Sequence, residues 1–202
     1  MSVADSRVTI HMAASLDGFI ARRDGRVDWL DTSDHYADGE TMAAADVSAF
    51  LATIDCYVMG SRTYETALRF AQSGAGWAYG DTPVYVLTTR ELPRIRPSVE
   101  FYAGELSTFV NATLRHQHTT IWCVGGAMVA GEFLRLGLAD DVRCSILPVL
   151  IGDGIPFFGA LGADIALHLA EVHAYATGML DVRYEIRGSA AALRNDEAPD
   201  TA

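Results

Sequence analysis

Two adjacent glycines, Gly125 and Gly126, separate an apolar run from a helical pattern, and such a junction can bind phosphate. Residues 121–124 are apolar and predict a buried strand, whereas apolar residues at helical spacing from Met128 onward predict a helix that ends before Gly137. Glycine lacks the Cβ atom that keeps a ligand away from the backbone, and the free N–H groups of a helix start attract anions. A tight strand-to-helix turn without a ligand explains the same pattern equally well.

The common phosphate-binding fingerprints do not fit this junction. Gly126 and Gly131 have the spacing of a P-loop, but Glu132 and Phe133 stand where that motif requires Lys and Ser or Thr. The glycines do not follow the G-x-G-x-x-G pattern of dinucleotide-binding folds either. The sequence therefore excludes an ordinary ATPase loop and lacks the standard dinucleotide fingerprint.

A second strand-to-helix junction follows the apolar run 56–59. Gly60 is followed by Ser61, Arg62 and Thr63, so a guanidinium group and two hydroxyls stand at the predicted helix start. The planar fork of arginine donors matches the geometry of a phosphate group. A capping Ser61 or Thr63 beside a solvated Arg62 accounts for this junction equally well when it is taken alone.

A third predicted strand, 84–87, runs into Thr88, Thr89 and Arg90. NAD-specific sites place an acidic residue on the ribose 2′-hydroxyl, whereas an arginine beside hydroxyls suits the 2′-phosphate of NADP. The segment therefore favours NADP, although the neighbouring Glu91 counts against it.

These three junctions are expected to meet. In a mostly parallel sheet with right-handed crossovers, residues 60–63, 88–90 and 125–126 lie at the same edge. That convergence favours an elongated, phosphate-bearing cofactor. The sequence has no G-x-S-x-G or H-E-x-x-H motif and no paired cysteines, so neither a serine hydrolase nor a metal site is predicted.

Two carboxylates and one tryptophan are candidates for contact with a substrate. Asp17 follows the predicted first strand, where ligands bind in open α/β sheets, and could orient substrate or water. An Asx turn that holds its own loop is the better interpretation of Asp17 from the sequence alone. Trp29, in the polar loop 22–38, either covers a planar ligand or pins its loop to the protein body. Asp153, in the loop 148–158, is the second carboxylate.

Charge and hydropathy restrict the partners. The formal net charge of −11 argues against nucleic acid or an anionic membrane as the main partner, whereas a small-molecule substrate and cofactor remain possible. No apolar run is long enough to span a bilayer, and residues 1–7 lack the apolar core of a signal peptide, so we expect a cytoplasmic protein.

The order of patterns predicts one α/β domain over residues 1–188, followed by a loose polar tail over 189–202. Helical spacing over 41–54 predicts a helix packed on the sheet. The segments 165–176 and 180–187 read as two strands that form an antiparallel hairpin at the end of the sheet.

Four motifs in this order resemble the dihydrofolate reductase-like superfamily and, within it, the reductase domain of bacterial riboflavin-biosynthesis deaminase/reductases. The resemblance spans residues 8–187 and includes a late segment, residues 150–158. The motifs are Ser15-Leu16-Asp17-Gly18-Phe19-Ile20-Ala21, Val58-Met59-Gly60-Ser61-Arg62-Thr63-Tyr64-Glu65, Val86-Leu87-Thr88-Thr89-Arg90 and Val124-Gly125-Gly126-Ala127.

The resemblance implies a three-layer α/β/α fold with a mostly parallel central sheet, and NADPH as cofactor. Ala14 and Ile20 would line the nicotinamide end, and the Gly125–Gly126 peptide is often cis in such proteins. The diphosphate and adenosine would be held by Gly60, Ser61, Arg62, Thr63, Leu87, Thr88, Thr89, Arg90, Val124, Gly125, Gly126, Ala127, Met128 and Val129.

The resemblance also implies hydride transfer to a pyrimidine-like, pterin-like or ribosylaminopyrimidine substrate, as in 5-amino-6-(5-phosphoribosylamino)uracil reductases, and a homodimer. Dihydrofolate reductases carry a carboxylate early in the helix after the flap. Here residues 42–46 read Met-Ala-Ala-Ala-Asp without the usual Leu-Pro entry, which argues against folate. The alternative is a non-catalytic nucleotide-binding or sensor module that keeps the cofactor pocket.

Overall fold

The computed structural model describes residues 6–188, and among these the strands form one eight-stranded sheet and one two-stranded sheet. The order in the large sheet is β5-β4-β3-β6-β1-β7-β10-β9. The strands are β1 Arg7–Ser15, β2 Phe19–Ala21, β3 Cys56–Gly60, β4 Val84–Leu87, β5 Val99–Tyr102, β6 Thr120–Cys123, β7 Asp141–Leu147, β8 Ile155–Pro156, β9 Leu167–Ala174 and β10 Leu180–Ile186.

Within this sheet, the neighbouring strands β5, β4, β3, β6, β1 and β7 are parallel to one another. Strand β10 pairs antiparallel with both β7 and β9. Strands β2 and β8 form the small sheet beside it. Parallel strands need both faces covered, which explains their continuous apolar sequences. The expected mostly parallel sheet with a C-terminal antiparallel hairpin is confirmed.

Helices cover the sheet on both faces. They are α1 Ala44–Leu51, α2 Ser61–Gln72, α3 Leu106–Phe109, α4 Arg115–Gln117 and α5 Ala127–Arg135; a π-helical segment Val110–Leu114 joins α3 to α4, and Asp28–Asp31 forms a 3₁₀ turn. In α5, Phe133 and Leu134 are buried, and Gly137 at φ 63° ends the helix as its sequence predicts.

Two apolar clusters lie on the two faces of the sheet. The larger one joins β1 and β6 to α5, with Ile10, Cys123 and Phe133 at its centre. The second packs α2 onto β3 and β4 through Tyr64, Leu68 and other apolar side chains. Helices α2 and α5 are thus fixed on opposite faces, with their N-termini at the carboxyl edge of the sheet.

Two sequence predictions need correction. The helix expected over 41–54 is shorter, and no residue of α1 is buried, although Phe50 contacts Trp122 with 5.1 Å between ring centroids. The three expected strand-to-helix crossovers imply a helix after β4, but the connection from β4 to β5 contains none within the described chain, so the third junction is a strand followed by a loop. The proposed tail, 189–202, lies outside the described residues. No helix that the structure describes is long and apolar enough to cross a membrane.

Candidate functional site

The three predicted junctions meet at the carboxyl edge of the large sheet. In the parallel register, Gly60 stands beside Leu87 at the ends of β3 and β4. On the other side of β3, Val58 stands beside Cys123 of β6, so the glycines that follow β6 come next to Gly60. The sequence expectation that residues 60–63, 88–90 and 125–126 share one edge is confirmed.

The N-termini of α2 and α5 are held close together by the backbone. The Gly60 N–H donates to the Gly125 carbonyl at 2.8 Å, and a Cβ atom on Gly60 would stand 3.0 Å from a methyl group of Val129. Neither N-cap residue, Gly60 or Gly126, offers a side-chain cap. By contrast, the Glu105 carboxylate caps α3. The free N–H groups of α2 and α5 are therefore available to an anion.

Gly126 leaves a space in the cleft between the two helices. A Cβ atom there would stand 3.6 Å from the Thr63 hydroxyl and 3.8 Å from the Ile20 side chain, so it would fit the protein but occupy the cleft. Gly125 has φ 96°, a conformation that favours glycine, and the Gly125–Gly126 peptide is cis, as the family resemblance implies.

Two cavities, of about 620 and 1140 Å³, adjoin along this edge and share the start of α5. Leu87, Ala127, Met128 and Val129 line both. The smaller cavity continues over Thr88 and Thr89 toward the end of β5. The larger one continues over β1, β2 and α2, and the predicted residues that line it are Ile20, Gly60, Ser61, Arg62, Thr63, Val124 and Gly126.

The arginines around the cleft differ in their partners. Arg62 lines the larger cavity, and the described residues give its guanidinium no ion-pair partner. Arg90 lines neither cavity and instead makes two hydrogen bonds to Glu65. That pair, aided by the charges of Arg69 and Arg62, holds the pKa of the Glu65 carboxyl below its usual value.

Asp17 lies outside both cavities and ties two loops together. Its carboxylate accepts hydrogen bonds from the Ser15 hydroxyl at 2.5 Å and from the N–H groups of Ile151 and Gly152 at 3.2 and 2.7 Å. The Ser15 bond, with these N–H groups, lowers the pKa of Asp17. This geometry fits the loop-holding interpretation, because the carboxylate is already satisfied.

Three other predicted residues stand away from the cavity walls. Trp29 is 3% exposed, which fits a residue that pins its loop to the protein body. Asp153 is exposed and pairs with Arg23, a residue that lines the larger cavity. Ala14 is 2% exposed near the end of β1 and lines neither cavity.

Sequence reasoning missed a histidine on the wall of the larger cavity. His11 lies in β1, its Nε2 is 2.9 Å from the Ser145 hydroxyl, and its ring meets Trp122 edge-on at 4.6 Å. The Ser145 hydroxyl also donates to Asp181 at 2.7 Å. The sequence signal was weak, because His11 is one of several polar residues in a strand that alternates apolar and polar side chains, and its partners come from β7 and β10.

Comparison with known proteins gives consistent matches over nearly the whole chain. The model of the RibD C-terminal domain family matches residues 6–180. The uncharacterized protein YwjB of Bacillus subtilis (strain 168) is 30% identical over 173 residues, which cover 82% of this chain and 90% of YwjB. The uncharacterized protein YyaP of the same organism is 25% identical over 191 residues, which cover 90% of this chain and 96% of YyaP.

Solved structures share the fold. A candidate riboflavin biosynthesis protein from Shewanella sp. PV-4 matches with a TM-score of 0.74 and 24% identity, covering 89% of this chain and 98% of that one. A pyrimidine reductase-like protein from Corynebacterium diphtheriae matches with a TM-score of 0.62 and 13% identity, covering 92% and 95%. The diaminohydroxyphosphoribosylaminopyrimidine deaminase/5-amino-6-(5-phosphoribosylamino)uracil reductase of Thermotoga maritima matches with a TM-score of 0.62 and 17% identity, covering 90% of this chain and 56% of that one.

Proposed function

Because the chain belongs to the RibD C-terminal domain family, we propose that it is an NADPH-dependent reductase that transfers hydride to a pyrimidine-like or pterin-like heterocycle, such as a ribosylaminopyrimidine. One observation carries the proposal: two adjoining cavities run along the carboxyl edge of the sheet and meet over the uncapped starts of α2 and α5. An extended dinucleotide needs this shape, with phosphate recognition in the middle and a ring pocket at each end.

The residues at the junction fit the diphosphate. Gly126 provides a cradle that a Cβ atom would fill, and the N–H groups of Ala127 and Met128 belong to the free first turn of α5. Arg62 adds a guanidinium group from the start of α2. In a protein with a net charge of −11, such a local set of donors is what allows an anion to bind.

The smaller cavity suits the adenosine end. Thr88 and Thr89 supply hydroxyls there, and Arg90, which follows them directly, would have to leave Glu65 to bind the 2′-phosphate. The nicotinamide ring would then lie in the larger cavity, beside Ile20 and the end of β1. The bound cofactor supplies the hydride, and the protein positions the two rings and excludes water.

Two measurements test this proposal. Calorimetric titration should show NADPH binding at least about tenfold more tightly than NADH, because a 2′-phosphate adds charge-assisted hydrogen bonds. NADPH oxidation should then be measured across a panel of pterins and aminopyrimidines. If neither coenzyme binds, the proposal is wrong.

A non-catalytic nucleotide-binding or sensor module is the second candidate. It is favoured by the position of Asp17, since the carboxylate predicted to assist hydride transfer lies outside both cavities and is held by three hydrogen bonds. NADPH binding without oxidation of the coenzyme by any member of the substrate panel would support this alternative.

A homodimer remains a prediction, and the free edge of the sheet supports it. Strand β9 ends the large sheet, and its Leu167, Leu169 and Val172 side chains are 41%, 47% and 51% exposed. An edge strand with exposed apolar side chains readily pairs with another chain. Light scattering after gel filtration measures the mass; a monomer at micromolar concentration contradicts the prediction.

A further inference from the structure

The larger cavity has a polar group in its wall that cofactor binding does not use. His11 lines this cavity on the face of the sheet that carries α1 and α2, next to Ala13 in the same strand. Ser145 is the register partner of Ala13 on β7, and Asp181 is the register partner of Ser145 on β10. Three neighbouring strands thus place an imidazole, a hydroxyl and a carboxylate in one row.

Hydrogen bonding within the row fixes the imidazole tautomer. The Ser145 hydroxyl donates its only hydrogen to the Asp181 carboxylate at 2.7 Å. Since Nε2 of His11 lies 2.9 Å from the same hydroxyl oxygen, it is the imidazole that donates in this contact. The proton therefore resides on Nε2, and Nδ1 carries the lone pair. The described residues offer Nδ1 no hydrogen-bond donor.

The surrounding groups keep the imidazole neutral. Asp181 is neutralised by Arg143, whose Nε donates at 2.7 Å, and Arg143 in turn contacts Glu171. The Arg143 guanidinium is also covered by the Phe50 ring at 5.0 Å. Burial lowers the pKa of His11 to about 4, against the attraction of Asp181 and with the help of Arg143. At neutral pH the ring is thus a hydrogen-bond acceptor without charge.

We infer that His11 is a substrate-recognition residue whose Nδ1 accepts a hydrogen bond from an uncharged exocyclic amino group of a heterocycle bound in the larger cavity. Ser145 and Asp181 are positioning residues, because they hold the tautomer that leaves Nδ1 free. This inference rests on the proposed reductase function, and it adds which edge of the substrate is recognised.

The lone pair makes the site selective. A carboxylate or phosphate would face the Nδ1 lone pair and be repelled, and a cationic donor would lie near Arg143. An uncharged amino group meets neither penalty and satisfies an otherwise unpaired acceptor. Aminopyrimidines such as 5,6-diaminouracil carry exocyclic amino groups, whereas uracil carries none.

Nitrogen-15 NMR of histidine-labelled protein tests the tautomer without any ligand. His11 should show a protonated Nε2 and a free Nδ1, and Ser145→Ala should weaken that preference without displacing the ring from Trp122. A His11 with the proton on Nδ1 overturns the inference.

Probe binding tests the recognition step in protein saturated with NADP⁺. Adding 5,6-diaminouracil should shift the His11 Nδ1 resonance, whereas uracil, which lacks both amino groups, should shift it little. In His11→Phe the affinity for 5,6-diaminouracil should fall about tenfold, one hydrogen bond in size, with the uracil and NADP⁺ affinities unchanged.

The outcomes separate the two proposals. If NADP⁺ fails to bind the wild type, the proposed function is wrong, and the tautomer measurement still decides the role of Ser145. If NADP⁺ binds, but 5,6-diaminouracil neither shifts the Nδ1 resonance nor distinguishes wild type from His11→Phe, the recognition role of His11 is overturned.

Discussion

Arg90 and Glu65 are joined by two hydrogen bonds, of 3.1 and 2.5 Å, between the loop after β4 and the first turns of α2. Glu65 lines the larger cavity, whereas Arg90 lines neither. Arg90 is thus held beside the predicted 2′-phosphate position by an acidic group that competes with phosphate for the same guanidinium. Arg62 has no such competitor among the described residues.

The affinity for the coenzyme should therefore depend on Arg62, and the preference for NADPH over NADH on Arg90 and Glu65. Arg62→Ala should weaken NADPH binding about 10- to 100-fold, because charge-assisted hydrogen bonds to phosphate are lost. Arg90→Ala should weaken it less, since Arg90 must first leave Glu65. Arg62→Ala should weaken NADH binding to a similar extent, because both coenzymes carry the diphosphate, whereas Arg90→Ala should affect NADH less than NADPH, as measured by calorimetric titration.

Removing the competing charge should have the opposite effect. Glu65→Gln should increase the NADPH affinity relative to that of NADH, because it frees Arg90 and removes a carboxylate near the phosphate. Arg96→Ala is a matched control, since Arg96 pairs with Asp81 and lines neither cavity. If Arg90→Ala leaves the ratio of NADPH to NADH affinity unchanged, Arg90 does not bind the 2′-phosphate.

Adding one methyl group at Gly126 should separate binding from folding. The Cβ atom of Gly126→Ala meets only ordinary contacts with Thr63 and Ile20, at 3.6 and 3.8 Å, but it enters the space assigned to the diphosphate. We expect NADPH affinity to fall more than about 100-fold while the melting temperature changes little, because steric exclusion of a ligand costs several kcal/mol. Unaltered affinity in a folded variant would place the diphosphate elsewhere.

The buried imidazole should make stability depend on pH. Burial lowers the pKa of His11 to about 4 in the folded protein, against about 6.5 in the unfolded chain. As the pH falls, the unfolded state therefore binds a proton on His11 before the folded state does. The contribution of His11 to the free energy of unfolding is complete above pH 6.5, and up to about 3 kcal/mol of it is lost as the pH falls toward 4. Urea titrations should show that the wild type loses more stability than His11→Phe as the pH falls from 6.5 toward 4; curves that stay parallel contradict the pKa shift.

Asp17 should behave as a structural residue. Asp17→Ala removes the acceptor of the Ile151 and Gly152 N–H groups, so hydrogen exchange at these two amides should accelerate while NADPH affinity changes less than about threefold. Asp153→Ala is the control, because its exposed pair with Arg23 contributes little. Loss of NADPH oxidation without faster exchange at Ile151 would instead assign Asp17 a catalytic role.

The edge proposed to bind the cofactor could be predicted from the sequence because its signals are local. Glycines after apolar runs mark the ends of strands, and parallel strands bring those ends together without any knowledge of side-chain contacts. Gly60, Gly125 and the start of α5 are therefore found where their local sequence predicts them.

The remainder of the site depends on contacts between distant segments. The row from His11 to Asp181 spans three strands and about 170 positions of sequence, so no spacing reveals it. The position of Arg90 depends on Glu65, 25 residues earlier. The helical spacing of apolar residues in α1 predicts a face buried on the sheet, but these side chains stay partly exposed, as with Phe50 at 36%.

The most direct test of the cofactor assignment is an NADPH titration of nitrogen-15-labelled protein, followed by amide NMR. The account predicts that amide resonances of Ser61, Arg62, Ala127 and Met128 shift together, saturate at one affinity, and do so at lower concentrations of NADPH than of NADH. The account is contradicted if NADPH does not change the chemical shifts of these four amides, or if it changes only those of residues on another surface of the protein.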